Sequence, residues 1–127
     1  MKNCTRIRLP SFLTYAPNCA ACAKKVLQDY YPDWMPGIMS RRSSSHYDPK
    51  SGRCFVELKV WSIPKDLKFE ADTEHKLVDG QTQQKLAEAE VWRNGTRTGV
   101  VSGKSIYDFV GTEYYIKKMM GEDAVNE

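Results

Sequence analysis

The sequence predicts an α+β domain with an N-terminal helix, a three- to four-stranded antiparallel sheet and a C-terminal helix. Three observations carry that expectation. Residues 19–31 place apolar side chains at helical spacing, residues 53–61 alternate with period two, and residues 106–120 return to a helical pattern closed by Gly121.

Each element has its own warrant. Asn18 is a good N-cap, and Cys19, Cys22, Ala23, Val26 and Tyr30 form one stripe opposite Lys24, Lys25, Gln28 and Asp29. Pro32 stops the helix, and Trp34 and Pro36 continue as an irregular, aromatic-rich segment. Residues 40–45 (Ser-Arg-Arg-Ser-Ser-Ser) read as a polar, basic loop, and Asp48-Pro49-Lys50-Ser51-Gly52 is turn chemistry. Within strand 53–61, Cys54, Val56, Leu58 and Val60 face one way, and Phe55, Glu57 and Lys59 face the other.

Residues 63–73 form a charged connection. A short strand, 75–78, ends at the hairpin dipeptide Asp79-Gly80. The run 84–92 favours helix by propensity, yet Ala87, Ala89 and Val91 alternate against Glu88 and Glu90, and the Asn94-Gly95 hairpin signal follows. Strands 84–93 and 96–101 are therefore expected. Ser105 reads as the cap of the second helix, with Ile106, Phe109, Val110, Ile116 and Met120 as its apolar contacts and Gly111 weakening its middle. One domain over 1–127 is expected, with 1–17 an extended N-terminal segment and 122–127 a frayed acidic tail.

Composition narrows the class. The 127 residues carry 19 basic and 16 acidic side chains, a net +3, with 41% hydrophobic residues. That mixture builds a packed core and excludes disordered or collagenous chains. No apolar run approaches the roughly 18 residues of a membrane span. The first residues show no intact signal peptide, because Pro10 and Ser11 interrupt their weak apolar patch. The sequons Asn3-Cys4-Thr5 and Asn94-Gly95-Thr96 matter only in a eukaryotic secretory route and carry little weight.

The cysteines carry the strongest chemical signal. Cys19-Ala20-Ala21-Cys22 opens a helix, where unpaired amides and the helix dipole lower a thiol pKa. The segment from Phe12 to Lys25 resembles the active-site stretch of thioredoxin-like proteins, which implies Cys19 as attacking and Cys22 as resolving thiol. The chain departs from that pattern: Pro64 precedes a charged segment where a proline facing the dithiol would belong, and 34–52 lacks the continuing helix and strand.

The competing reading is structural. Cys22 on the apolar stripe and Cys54 on the buried strand face could meet as a disulfide, leaving Cys4 and Cys19 paired or free. In a reducing compartment the same residues would be small buried hydrophobes. A zinc site from Cys19, Cys22, Cys54 and either His46 or His75 lacks a second knuckle, so no metal is expected. Both histidines read as solvated.

Two other signals are weaker. The run from Gly99 to Ser105 imitates a phosphate-binding loop but is one residue short, which excludes a nucleotide hydrolase and leaves at most a weak anion site at Ser105. Arg41, Arg42, Lys50 and Arg53 with Tyr47 and Phe55 form the densest basic and aromatic cluster, but Asp48, Glu57 and the acidic tail dilute it.

The segment Ser45-His46-Tyr47-Asp48-Pro49-Lys50-Ser51-Gly52-Arg53-Cys54-Phe55-Val56-Glu57-Leu58 resembles a group of small uncharacterised bacterial proteins, many of them exported. In that group a Cys-bearing helix leads to a His-Tyr-Asn/Asp turn and a Lys/Arg-Cys-Phe strand. Leu77-Val78-Asp79, Lys85-Leu86-Ala87 and the stretch from Glu113 to Asp123 resemble its later features. The resemblance implies an α+β fold, a Cys22–Cys54 bond and a periplasmic or secreted location, and brings no activity with it.

The expected function is a small non-catalytic binding domain without cofactors, recognising an unidentified protein or small ligand. Trp34, Met35, Arg41, Arg42, His46 and Tyr47 are its candidate binding residues. The alternatives are a thiol–disulfide oxidoreductase using Cys19 and Cys22, and a weak nucleic-acid-binding protein, which the mild charge disfavours. No oligomeric state follows from the sequence.

Overall fold

A strand with apolar side chains on both faces obliges the sheet around it to be covered on both sides. β4 (Arg53–Ser62) is that strand. Cys54, Val56, Leu58 and Val60 are buried on one face and Phe55 on the other. In the computed structural model, which describes residues 6–9, 14–35, 37–62, 71–104 and 108–122, one helix packs against each face. α1 (Cys19–Tyr30) lies over β3 (Ile38–Asp48) and β4, and α2 (Phe109–Met119) lies on the opposite face. There α2 packs on β5 (Ala71–Asp79), β6 (Lys85–Trp92) and β7 (Arg97–Val101).

The sheet is antiparallel in the order β3-β4-β5-β6-β7, so it is α+β as expected, with five strands in place of three or four. The added strand is β3, where a loop was expected over 40–45. Arg-Arg-Ser-Ser-Ser has no apolar face, but β3 is an edge strand and needs none. Its register with β4 runs from Ser40↔Trp61 to Asp48↔Arg53. Asp48 closes the turn, its carboxylate accepting from Lys50 N–H (3.2 Å) and Ser51 Oγ (2.8 Å). Within 1–17, β1 (Arg6–Leu9) and β2 (Thr14–Pro17) pair antiparallel as a separate two-stranded sheet.

Local rules set the ends of α1. Asn18 Oδ1 accepts from the Ala21 N–H at 3.3 Å. Pro32 disfavours helical geometry at Tyr31, whose φ of −136° ends the helix while its N–H still donates to the Leu27 carbonyl. The helix buries Cys22, Ala23 and Val26 against Cys54, Val56, Leu58, Val60 and Val78. On the far face, Phe55, Leu77, Ala87 and Val101 receive Ile116 and Met120 of α2.

Three turn expectations need correction. The β5–β6 connection is not a two-residue hairpin at Asp79-Gly80; Asp79 Oδ1 instead accepts from the N–H groups of Gln81 (2.9 Å) and Thr82 (3.0 Å). Gly80 is there for space: a Cβ would meet Cys54 Cβ at 3.0 Å and Cys22 Cβ at 3.2 Å. At Asn94-Gly95 only Gly95 has positive φ, and Gly95 N–H donates to the Trp92 carbonyl, so a type I turn with a following left-handed glycine replaces the mirror-image turn.

The third correction concerns α2, which starts at Phe109 with Asp108 as its cap, its carboxylate accepting from Gly111 N–H at 2.7 Å. Gly111 is thus in the first turn and not mid-helix, and the expected cap Ser105 lies outside the described residues, as does 63–70 of the charged connection. Gly121 ends α2, its N–H and that of Glu122 donating back to Lys118 and Lys117.

Gly99 fixes how close α2 comes to β7. A Cβ there would sit 2.4 Å from Thr112 Oγ1 and 2.6 Å from the Asp108 carbonyl oxygen. Gly99→Ala must therefore displace the first turn of α2, at a cost of about 2 kcal/mol. Urea unfolding should show the lowered midpoint; an unchanged midpoint would contradict this packing.

Candidate functional site

The described cysteines are paired. Cys19 is bonded to Cys54 across a Cα separation of 5.5 Å, tying the first turn of α1 to the start of β4. The expected Cys22–Cys54 bond is thus corrected. Cys19 and Cys22 lie three residues apart on the same stripe, so periodicity alone cannot rank them. Cys22 is itself disulfide-bonded, and among the described residues no cysteine is free. Neither the Cys19–Cys22 dithiol nor thiolates for a zinc set are present, because a bridged sulfur offers no thiolate.

The six expected binding residues divide. Trp34, between α1 and β3, is 77% exposed, whereas Met35 packs against the α1 core. Arg41 points to the α1 side of β3, where it pairs with Asp33 and donates to Gln28 Oε1 at 3.5 Å. Arg42 points to the other side and lies over the Trp61 ring at 5.6 Å. His46 packs against Gly121, where an added Cβ would fall 2.6 Å from the imidazole. Tyr47 is half-buried. β3 therefore brings Arg41, Arg42 and the approach from Trp34 to one edge, and commits Met35 and His46 to packing.

The structure adds two ionic clusters that sequence reasoning missed. His75, only 7% exposed, was expected to be solvated. It instead donates from Nε2 to Glu57 at 2.5 Å and from Nδ1 to Glu113 of α2 at 2.9 Å. Ser44 Oγ also donates to Glu57 at 3.4 Å. Burial would lower the His75 pKa, but its hydrogen bonds to Glu113 and Glu57 outweigh that and raise it to about 9. Burial of Glu57 is likewise outweighed by His75, which holds that carboxyl below its ordinary range. The doubly bonded imidazolium is a strut between α2 and the sheet.

On the α1 face, register places Leu58, Lys76, Glu88 and Val100 in one cross-strand row and Val60, Glu74, Glu90 and Thr98 in the next. α1 covers only the β4 end of these rows. Beyond it, Lys76 pairs with Glu74 (2.6 Å) and Glu88 (3.2 Å) and donates to the Tyr31 hydroxyl, which in turn donates to Glu74. The carboxylates of Glu74, Glu88 and Glu90 have oxygens within 4.8 Å of one another. The Lys76 ammonium already supplies a cation there. Burial and the neighbouring Glu88 push the Glu90 pKa up, so Glu88 and Glu90 share a proton more readily than they hold two charges.

At the β4–β5 corner, Asp79 is buried. Burial alone would raise its pKa, yet the Thr82 N–H, the Arg53 guanidinium (2.7 Å) and the Gln81 N–H together hold it below the ordinary value. Gln81 and Thr82 lie at the spacing of an Asx turn from Asp79, but nothing local points to Arg53, 26 positions away. No family model, curated protein or solved structure matches this chain. Function must therefore be argued from the described surface.

The His75 strut fixes a pH dependence. A histidine with a raised folded pKa contributes its full stability below the unfolded value, about 6.5, and loses it as pH rises through about 9. A shift of that size amounts to roughly 3 kcal/mol. Denaturant unfolding of the native chain should show stability falling between about pH 7 and pH 9.5. His75→Gln should flatten that slope, and a native chain with no slope would contradict the strut.

Proposed function

We propose that this chain is a disulfide-clamped, non-catalytic binding domain that meets a protein partner along the β3 edge and its approach from α1. One observation carries the reading: β3 is an 11-residue strand at the end of the sheet, with no strand paired to its outer side among the described residues. The exposed Trp34 and the Arg42–Trp61 stack flank it. Aromatic and arginine side chains of this kind are enriched where proteins recognise proteins.

The disulfides support a chain that works in an oxidising compartment, outside the reducing cytosol. They also weigh against thiol exchange. Cys54 is fully buried and bonded to Cys19, so a C-x-x-C redox couple would require the clamp to be rebuilt each cycle. The basic cluster favours protein over nucleic acid, since Arg53 is matched by the buried Asp79 and the chain carries a net charge of only +3.

Photo-crosslinking side chains placed at Trp34 and at Ser44 of β3, in the native source, should give a discrete protein adduct. The same probe at Tyr114, on the exposed face of α2, should not. Insulin reduction by the oxidised or reduced chain should match the blank. Adducts only from Tyr114, or catalysed insulin reduction, would overturn the reading.

A further inference from the structure

The β3 edge is not a bare rim. α1 sits over β3 and β4, and one flank of the helix, Ala21, Lys25 and Gln28, faces outward beside Arg41. With Lys24 and Leu27 these residues line a cavity of about 480 Å³ along the edge. A strand added to β3 would run at the spacing of about 4.8 Å that separates neighbouring strands, and so would lie beside this open cavity.

We propose that β3 accepts an extended acidic segment of a partner protein as a sixth strand, which rests on the binding reading above and names its partner class. Main-chain hydrogen bonds to the outward N–H and C=O groups of alternate β3 residues would supply affinity. Side chains of the added strand alternate between the two sheet faces, and both faces of this edge are cationic. On the α1 side they meet Arg41, with the exposed Lys24 and Lys25 of the helix beside it; on the opposite face they meet Arg42 and Lys59 of the paired β4 position.

The acids already there do not cancel this bias. Asp29 pairs with Lys25 at 3.4 Å and Asp33 with Arg41, and both are surface pairs of the kind that contribute little and exchange readily. Glu57, 3.8 Å from Lys59, is committed to His75. β3 itself carries no acid before Asp48 at its far end. A second copy of β3 is a poorer occupant, because it would bring a second pair of arginines to the same edge.

The test uses fluorescent peptides of about eight residues, the length of an ordinary strand, with Asp or Glu alternating with Thr or Val. A counterpart carries Lys for each acid, and two further acidic peptides are N-methylated on odd or on even amides. The acidic peptide should bind the full oxidised chain saturably, and the lysine counterpart at least about tenfold more weakly. One methylated series should lose about tenfold in affinity while the other stays near the parent, because only alternate amides face β3. Arg41→Ser should weaken binding by about threefold or more, and circular dichroism should show the variant folded.

Equal loss in both methylated series would reduce the contact to unspecific charge and overturn the proposal. No preference for the acidic peptide, or no binding at millimolar concentration, would do the same, as would sedimentation showing that the edge is already closed in a dimer. Failure of the peptides while Trp34 and Ser44 still crosslink would remove strand addition alone; loss of those crosslinks would remove the binding reading itself.

Discussion

The Cys19–Cys54 bond is the constraint on which the rest of the described structure depends. It joins the first turn of α1 to the second residue of β4 over a sequence separation of 35, worth roughly 4 kcal/mol in the chain-entropy picture. Its consequence for shape matters more than its energy. With α1 held over the β3–β4 half of the sheet, its exposed residues stand beside Arg41 of the edge strand. The β5–β7 half of that face must then manage without a helix.

That division explains the chemistry of both faces. Under α1 the sheet is aliphatic and dry; past it, the same cross-strand rows turn into Lys76, Glu74, Glu88 and Glu90, an ionic set tied to the helix terminus through Tyr31. On the other face, α2 is held by close contact at Gly99 and by the His75 imidazolium between Glu57 and Glu113. Buried charges of this kind are costly unless fully partnered, and the buried ones, Glu57, His75 and Lys76, each have at least two partners. The two helices sit on opposite faces, and both clamps hold β4, the disulfide at Cys54 and the His75 strut at Glu57.

What the sequence disclosed follows from which signals are local. The Asn18 cap, the Pro32 stop, the β4 alternation and the Asp48–Gly52 turn each depend on neighbours a few residues apart, and the structure has them where they were read. β3 was invisible because an edge strand needs no apolar face, although the turn at Asp48 already implied a partner for β4. The cysteine pairing was half legible: helix stripe and strand face named the correct layers but could not choose between Cys19 and Cys22. The His75 cluster joins residues 18 and 38 positions apart, a distance at which no spacing rule operates. The open cavity between α1 and Arg41 is a property of helix placement and has no sequence signature at all.

The most direct measurement is the disulfide map of the unreduced, natively folded chain. Proteolysis under acidic, thiol-blocking conditions must be followed by tandem mass spectrometry that breaks the backbone between Cys19 and Cys22, since trypsin leaves both on one peptide. The clamp requires fragments linking Cys19 to Cys54. A Cys54 peptide linked to Cys22, or a closed Cys19–Cys22 loop with Cys54 alkylated, would contradict the account and with it the placement of α1 over β3 and β4.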